Sequence, residues 1–388
     1  MRVLALILLA AAGAAPPPPG VTGPRETVSQ RPVFRFRSSG AVGFRCAFDS
    51  PRLHRCSVRY SERLAVGAHV LRVRAVGRSG AASRVVTVAV RVLERLSVGA
   101  AVAVGPGAGA PAAFGGAVWV PTTGDGSLVR VAGGAVVSRT PVGVAPPTGG
   151  FLDSAVASAG AVWAASDAGA RISRVDADSG AVAATIPVAE RPGGLTEGAG
   201  AVWAFHFLQG TVTRIDAAAM TSATLTLPGA RATGIAFGAG SLWLLATAPA
   251  RLLRVDPVTG ALQGTVPLSP PFAPRRAFID SWWLAFRDGV VWATLPNHDA
   301  VARVDAATGE ARYVRILHGR PFGVAAGGGS TWVATDRAVV RLDEATGSVV
   351  AAADLPLADR SGFVSIAYGD GAAWLTNYDR GTVVRVTP

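Results

Sequence analysis

Seven tryptophans recur in one short phrase, and their spacing limits the fold more than any other feature of the chain. The phrases are GAVW ending at Trp119, Trp163 and Trp203, GSLW at Trp243, GVVW at Trp292, STW at Trp332 and AAW at Trp374. Successive tryptophans lie 44, 40, 40, 49, 40 and 42 residues apart, the length of one four-stranded blade of a β-propeller. A second marker keeps register with the first. Arginine follows eleven residues later at Arg130, Arg174, Arg214, Arg254, Arg303 and Arg385, and nine later at Arg341, where a shorter connecting loop is expected. Most of these arginines open a turn of the form RVDADSG (174–180), RVDPVTG (254–260) or RVDAATG (303–309). The Asp can hold the turn backbone, and the Gly supplies a positive φ.

Each unit therefore reads as four strands, a to d. In the fourth unit these are GIAFGAG (234–240), SLWLLA (241–246), RLLRVD (251–256) and ALQGTVPL (261–268). The seventh unit ends after strand c at 388, and the segment LSVGAAVAVG (96–105) precedes the first blade with the character of a strand d. The expectation is an all-β chain whose residues 95–388 form a seven-bladed propeller closed by its own N-terminal strand. The strand-c arginines are expected to stitch blades together.

Residues 32–93 follow a different pattern. VFRFRS (33–38), GFRCAF (43–48), HVLRVRAV (69–76) and VVTVAVRV (85–92) alternate apolar and polar with period two, as half-buried antiparallel strands do. A small β-sandwich follows. Its core is small, and the only two cysteines, Cys46 and Cys56, lie within it. A disulfide is the simpler reading for this pair, because no further thiol remains to complete a zinc site.

The first residues carry one positive charge at Arg2, an apolar run from Val3 to Ala12 and a small-x-small site at Ala12-Gly13-Ala14. This reads as a signal peptide over 1–14, followed by a Pro-rich leader over 15–31. The apolar run is too short for a membrane span. The chain is expected to be secreted or exposed at the cell envelope, and monomeric. The formal net charge is +12. It belongs wholly to the first 95 residues, which hold 16 Arg against 4 acids, while the remainder holds 21 of each. Partners are expected among small-molecule, anionic or protein ligands. Nucleic acid is the less expected partner.

Propellers bind ligands in the loops joining d to the next a and b to c. Three d–a loops place an arginine twelve residues before the Trp, at Arg191, Arg231 and Arg320. Such guanidinium groups suit a carboxylate, phosphate or sulfate, or each can pair with an acid or carbonyl of the neighbouring blade. His206, His298 and His318 fall in the same loops. They could serve as metal ligands or a base, or stand as singly hydrogen-bonded histidines. There is no G-x-S-x-G, H-E-x-x-H, Walker or calcium-loop signature, and neither catalytic residue nor cofactor is expected.

Two resemblances sharpen these expectations. Phe34, Phe36, Ser38, Ser39, Phe44, Cys46, Cys56, Leu64, Gly67, His69, Val73, Arg74 and Ala75 match the pattern of bacterial Ig-like repeats, and the resemblance implies an Ig-like sandwich for 32–93. The phrases GAVW…TRID (200–216) and GSLW…RVDPVTG (240–260) resemble the streptogramin (virginiamycin B) lyase-like and YVTN-type repeat families. The scaffold that resemblance implies is a propeller. The activity it implies is a metal-dependent opening of a cyclic ester, using a His and a nearby Glu. The chain has no Glu-x-His pair. The leading expectation is therefore a non-catalytic binding protein, with its ligand at the propeller mouth and a partner or polyanion on the basic domain. The metal-dependent lyase is the alternative.

Overall fold

The computed structural model describes residues 14–144, 154–189, 191–207, 209–227, 231–274, 283–355 and 364–388. Nearly all of the expected signal peptide lies outside them. The chain divides into two compact units, Met1–Glu94 and Arg95–Pro388. Among the described residues the only helix is a 3₁₀ turn at Pro296–His298, and no helix is long and apolar enough to cross a membrane.

Among the described residues, eight strands lie wholly within the N-terminal unit. They are β1 (Gly20–Thr22), β2 (Glu26–Thr27), β3 (Val33–Arg37), β4 (Ala41–Phe48), β5 (His54–Cys56), β6 (Arg59–Ser61), β7 (Gly67–Gly77) and β8 (Val86–Val92). One sheet runs β1-β3-β6 and the other β2-β8-β7-β4-β5. The sheets reach further towards the N-terminus than the periodicity indicated, because β1 pairs with β3 and β2 lies parallel to β8. Along β3, Phe34 and Phe36 are buried while Arg35 and Arg37 are exposed. Phe34, Phe44, Leu71, Val73 and Val90 share one core. A disulfide joins Cys46 of β4 to Cys56 of β5.

Asp49 and His69 clasp the end of this core. His69 Nδ1 donates to Asp49 Oδ2 at 2.7 Å, and its Nε2 donates to the Ala65 carbonyl at 2.9 Å. Burial works against the charged ring, but two acceptors on two nitrogens hold the imidazolium and raise its pKa. Asp49 is also pushed up by burial. His69 and the Val70 N–H outweigh that and leave its pKa lowered.

The second unit is a seven-bladed propeller. Six sheets run a-b-c-d in antiparallel order, as in Ala232–Gly238, Ser241–Ala246, Arg251–Val255 and Leu262–Pro267 of blade 4. Here strand a starts two residues before the sequence reading placed it and stops before Ala239-Gly240. Both turn residues have positive φ, +48° and +70°, so they form the tight hairpin and cannot extend the strand. The same paired positive φ recurs at all seven a–b hairpins, from Gly115-Gly116 to Asp370-Gly371, which is the turn whose twist matches its flanking strands.

Blade 7 has its own three strands, Val364–Gly369, Ala372–Asn377 and Thr382–Thr387. Its outer edge is completed from the start of the unit. Ser97 and Val98 pair with Thr387 and Val386, and Val102 and Ala103 pair with Val383 and Thr382. The ring therefore closes as the sequence implied, with Leu96 N–H also bonded to Ala352 of blade 6.

Every marker pair of the repeat meets across strands b and c. Trp119 faces Arg130, Trp163 Arg174, Trp203 Arg214 and Trp243 Arg254. Trp292 faces Arg303, Trp332 Arg341 and Trp374 Arg385. Each guanidinium lies over its indole, 5.2 Å to 6.0 Å from the ring centroid. Such a contact contributes about 0.5–1 kcal/mol at partly exposed sites. Two of the arginines reach onward as expected: Arg254 Nη1 donates to Ala306 O of blade 5, and Arg303 Nε to Glu344 O of blade 6. The indoles fill apolar clusters between adjacent blades, and six of the seven are at most 1% exposed. Packing between blades also depends on Gly238, where an added Cβ would fall within the ring of Phe286 from the next blade.

Turn chemistry completes the repeat. Asp256 accepts from the backbone N–H of Thr259 and Val258, and Gly260 follows at φ +72°. Asp176, Asp216, Asp305 and Asp343 do the same in their blades. These N–H donors favour the carboxylate form and lower each Asp pKa.

Candidate functional site

The three loop arginines occupy equivalent places. The carbonyl of Arg191 accepts from Phe207 N–H, that of Arg231 from Thr247, and that of Arg320 from Asp336. Each of these donors lies four residues beyond its blade's Trp, so one backbone bond fixes all three positions at the same level of successive sheets. Their side chains differ. Arg191 is exposed, sits at φ +58°, lies over the Phe207 ring at 5.4 Å and has its Nε 3.7 Å from Asp167. Asp167 belongs to the b–c loop of the preceding blade, so this arginine pairs between blades. Arg231 is exposed.

Arg320 stands in the better-formed setting. With Arg337, Asp336, Asp299, Leu317 and Gly319 it lines a cavity of about 190 Å³ between blades 5 and 6. Asp336 Oδ1 accepts the Arg320 backbone N–H at 2.8 Å, so one carboxylate oxygen is committed to holding the loop. Among the described residues no carboxylate forms an ion pair with Arg320 or Arg337. Gly319, at φ +115°, would bring a Cβ against that same carboxylate. The site presents two guanidinium groups and two carboxylates, with Ile316 and Leu317 as its apolar side.

The histidines do not join it as a group. His206 is the last residue of strand b in blade 3. It is 0% exposed, with Nε2 2.8 Å from Thr213 Oγ1, which in turn lies 3.0 Å from Thr224 Oγ1. His298 is half-buried, and its Nδ1 donates to the Phe272 carbonyl at 2.7 Å. His318 is half-buried beside Arg320, with its carbonyl accepting from Thr335 Oγ1. Among the described residues no three of His, Cys, Asp and Glu gather as ligands for a metal ion. The donor set that a metal-dependent lyase needs is not assembled by these side chains.

Sequence reasoning missed two features. Arg337 sits in the two-residue b–c loop of blade 6, and the nine-residue Trp332–Arg341 spacing was its signal. A second cavity, of about 240 Å³, lies where strands a of blades 2 to 5 approach one another, lined by Val156, Leu195, Glu197, Ile235, Phe237 and Phe286 among others. Glu197 is the only acidic residue in any described strand a, and that singularity was visible in the repeat.

No family model matches the chain, and no curated protein matches its sequence. Solved structures do match its shape. Hydrazine synthase of Kuenenia stuttgartiensis is similar with a TM-score of 0.57 at 14% identity, covering 73% of this chain and 96% of that one. The WD40 β-propeller domain of Doa1 is similar with a TM-score of 0.56 at 15% identity, covering 75% and 96%. A computationally designed protein, Ika8, is similar at 0.50 and 15% identity, covering 90% and 97%. At such identities the likeness concerns the fold, which is a β-propeller, and carries no activity with it.

Proposed function

We propose that the chain is an exported, non-catalytic binding protein. Its propeller takes a small anionic ligand at the mouth, and its basic N-terminal unit contacts a polyanionic partner. The observation that carries the reading is one cavity lined by both Arg320 and Arg337, neither of which forms an ion pair among the described residues although Asp299 and Asp336 share the lining. Two guanidinium groups at one site suit a carboxylate or phosphate. Export rests on the charged and apolar pattern of residues 1–14. The two-sheet sandwich supports the Ig-like resemblance, and the Trp–Arg pair in every blade supports the streptogramin lyase-like and YVTN-type repeat.

Titration of the full chain with succinate and with inorganic phosphate tests the mouth. A saturable rise in melting temperature that Arg320→Ala and Arg337→Ala each abolish is the expected result. Absence of any saturable shift with either anion would sink the reading.

A further inference from the structure

The outer face of the five-stranded sheet carries charge that the sandwich does not use. In its strand order β5-β4-β7, Arg55 pairs in register with Arg45, and Arg45 with Arg74. Their side chains point away from the core, because the flanking residues Phe44, Cys46, Val73 and Ala75 are buried. Arg72 stands on the same face of β7, two residues from Arg74 and in register with Thr87 of β8. Like charges directly opposite each other on neighbouring strands destabilise a sheet. Here the arrangement occurs twice along one rung. Among the described residues no carboxylate forms an ion pair with Arg45, Arg55 or Arg74. Arg74 Nε is shut from solvent with no hydrogen-bond acceptor.

We propose that this face docks a linear phosphodiester polymer of the cell envelope, laid across the strands along Arg55, Arg45 and Arg74 with Arg72 beside them. The proposal rests on the reading of the basic unit as a polyanion contact and gives it residues and a ligand class. Neighbouring strands lie ~4.8 Å apart, so two adjacent guanidinium groups can donate to one phosphate between them, and three in a row bracket two successive phosphates. A single small anion would satisfy one gap and leave the other repulsive. The five aromatic rings Phe34, Phe36, Phe44, Phe48 and Tyr60 all belong to the core cluster of the unit. The outer face therefore offers no ring on which a nucleic-acid base could stack, which is the usual platform for single strands. The chemistry on the face favours a backbone of phosphates without bases.

The sharpest consequence is one of opposite signs. A guanidinium held for the partner and opposed by its neighbours should be worth more to binding than to folding. The test uses the full chain and poly(glycerol phosphate) as probe, titrated over a range of salt concentrations. Affinity should fall with salt with a log–log slope of about −2, at ~0.7 for each of the two or three phosphates that the row and Arg72 neutralise. Arg45→Thr should weaken binding ~10-fold and flatten the slope by ~0.7, while the melting temperature stays level or rises. Arg55→Thr, at the exposed end of the row, is the second variant and should behave alike. The mouth variant Arg320→Ala should leave polymer binding unchanged, so either site can fail without the other. Unchanged affinity and slope in both threonine variants would overturn the proposal. So would tighter binding of single-stranded DNA or of phosphatidylserine vesicles. A fall of several degrees in the melting temperature of Arg45→Thr would also overturn it, by showing that Arg45 holds the fold.

Discussion

In the propeller, each strand-c arginine covers the tryptophan opposite it, and Arg254 and Arg303 also bond the next blade. In the N-terminal unit, Arg55, Arg45 and Arg74 face one another with no ion-pair partner among the described residues. The same residue type thus serves cohesion in one unit and, in the other, faces its own kind. The difference follows from what lies across the strand. An indole accepts the cation through its π face and shields it from the next charge. A second guanidinium does neither. Composition shows arginine in the strands of both regions, and register shows what each arginine faces.

The comparison can be broken at several points. The largest effect is expected from deleting residues 96–104, which strips the outer edge of blade 7. Urea unfolding should show a loss above ~5 kcal/mol, comparable to the whole stability of many domains, and a cooperative transition as strong as that of the parent would break the closure argument. Trp243→Ala removes a side chain that is 1% exposed between blades 4 and 5 and should cost about 3–5 kcal/mol in the same assay. Arg254→Ala should cost about 1–2 kcal/mol, because it loses the indole contact and bonds to Ser241 and Ala306. Set beside Arg45→Thr, which is expected to cost nothing, this pair of variants measures the contrast directly. Equal losses in both would erase it.

The smallest effect is a pH response that differs between the units. The folded pKa of His69 is raised, so its contribution is complete below the unfolded value near 6.5 and is lost as pH rises through the folded one. The folded pKa of Asp49 is lowered, so its share is present above about 4 and lost as pH falls through the folded value. Melting of the N-terminal unit should be highest between about pH 4 and 6.5 and decline above it by under ~1 kcal/mol, since Asp49 is half exposed and screened. His69→Gln should remove that decline. The turn aspartates of the propeller, Asp176, Asp256 and Asp305, have lowered carboxyl pKa values, so those turns should weaken as pH falls into the acid range.

Much of this was legible in the residues because the propeller repeats. Trp and Arg at a fixed spacing meet across two strands whatever the blade, and the shortened interval before Arg341 announced the tight loop that carries Arg337. The hairpin at Ala239-Gly240 was misread because alternation of apolar residues does not show where φ turns positive. His206 was read as a loop residue. In fact strand b is covered on both faces, so all six residues of Ala201–His206 are buried and no alternation marks where the strand ends. The row Arg55-Arg45-Arg74 was invisible for another reason. Each arginine lies in a strand whose alternation was clear, yet pairing between β5, β4 and β7 is a property of register that a single strand does not encode.

Closure by Ser97–Val98 and Val102–Ala103 has a consequence for the order of events as the chain is made. Within the propeller the outer edge of the seventh sheet is synthesised before any blade, and its partner, Thr382–Thr387, after all the other strands of the ring. Through almost the whole of synthesis the opening strand waits with its backbone donors unmatched, and no arc of blades can become a ring. Such long-range pairing folds slowly. It also defers the assembled ring until Thr382–Thr387 has emerged, so a chain that lacks this strand is left open rather than slightly smaller.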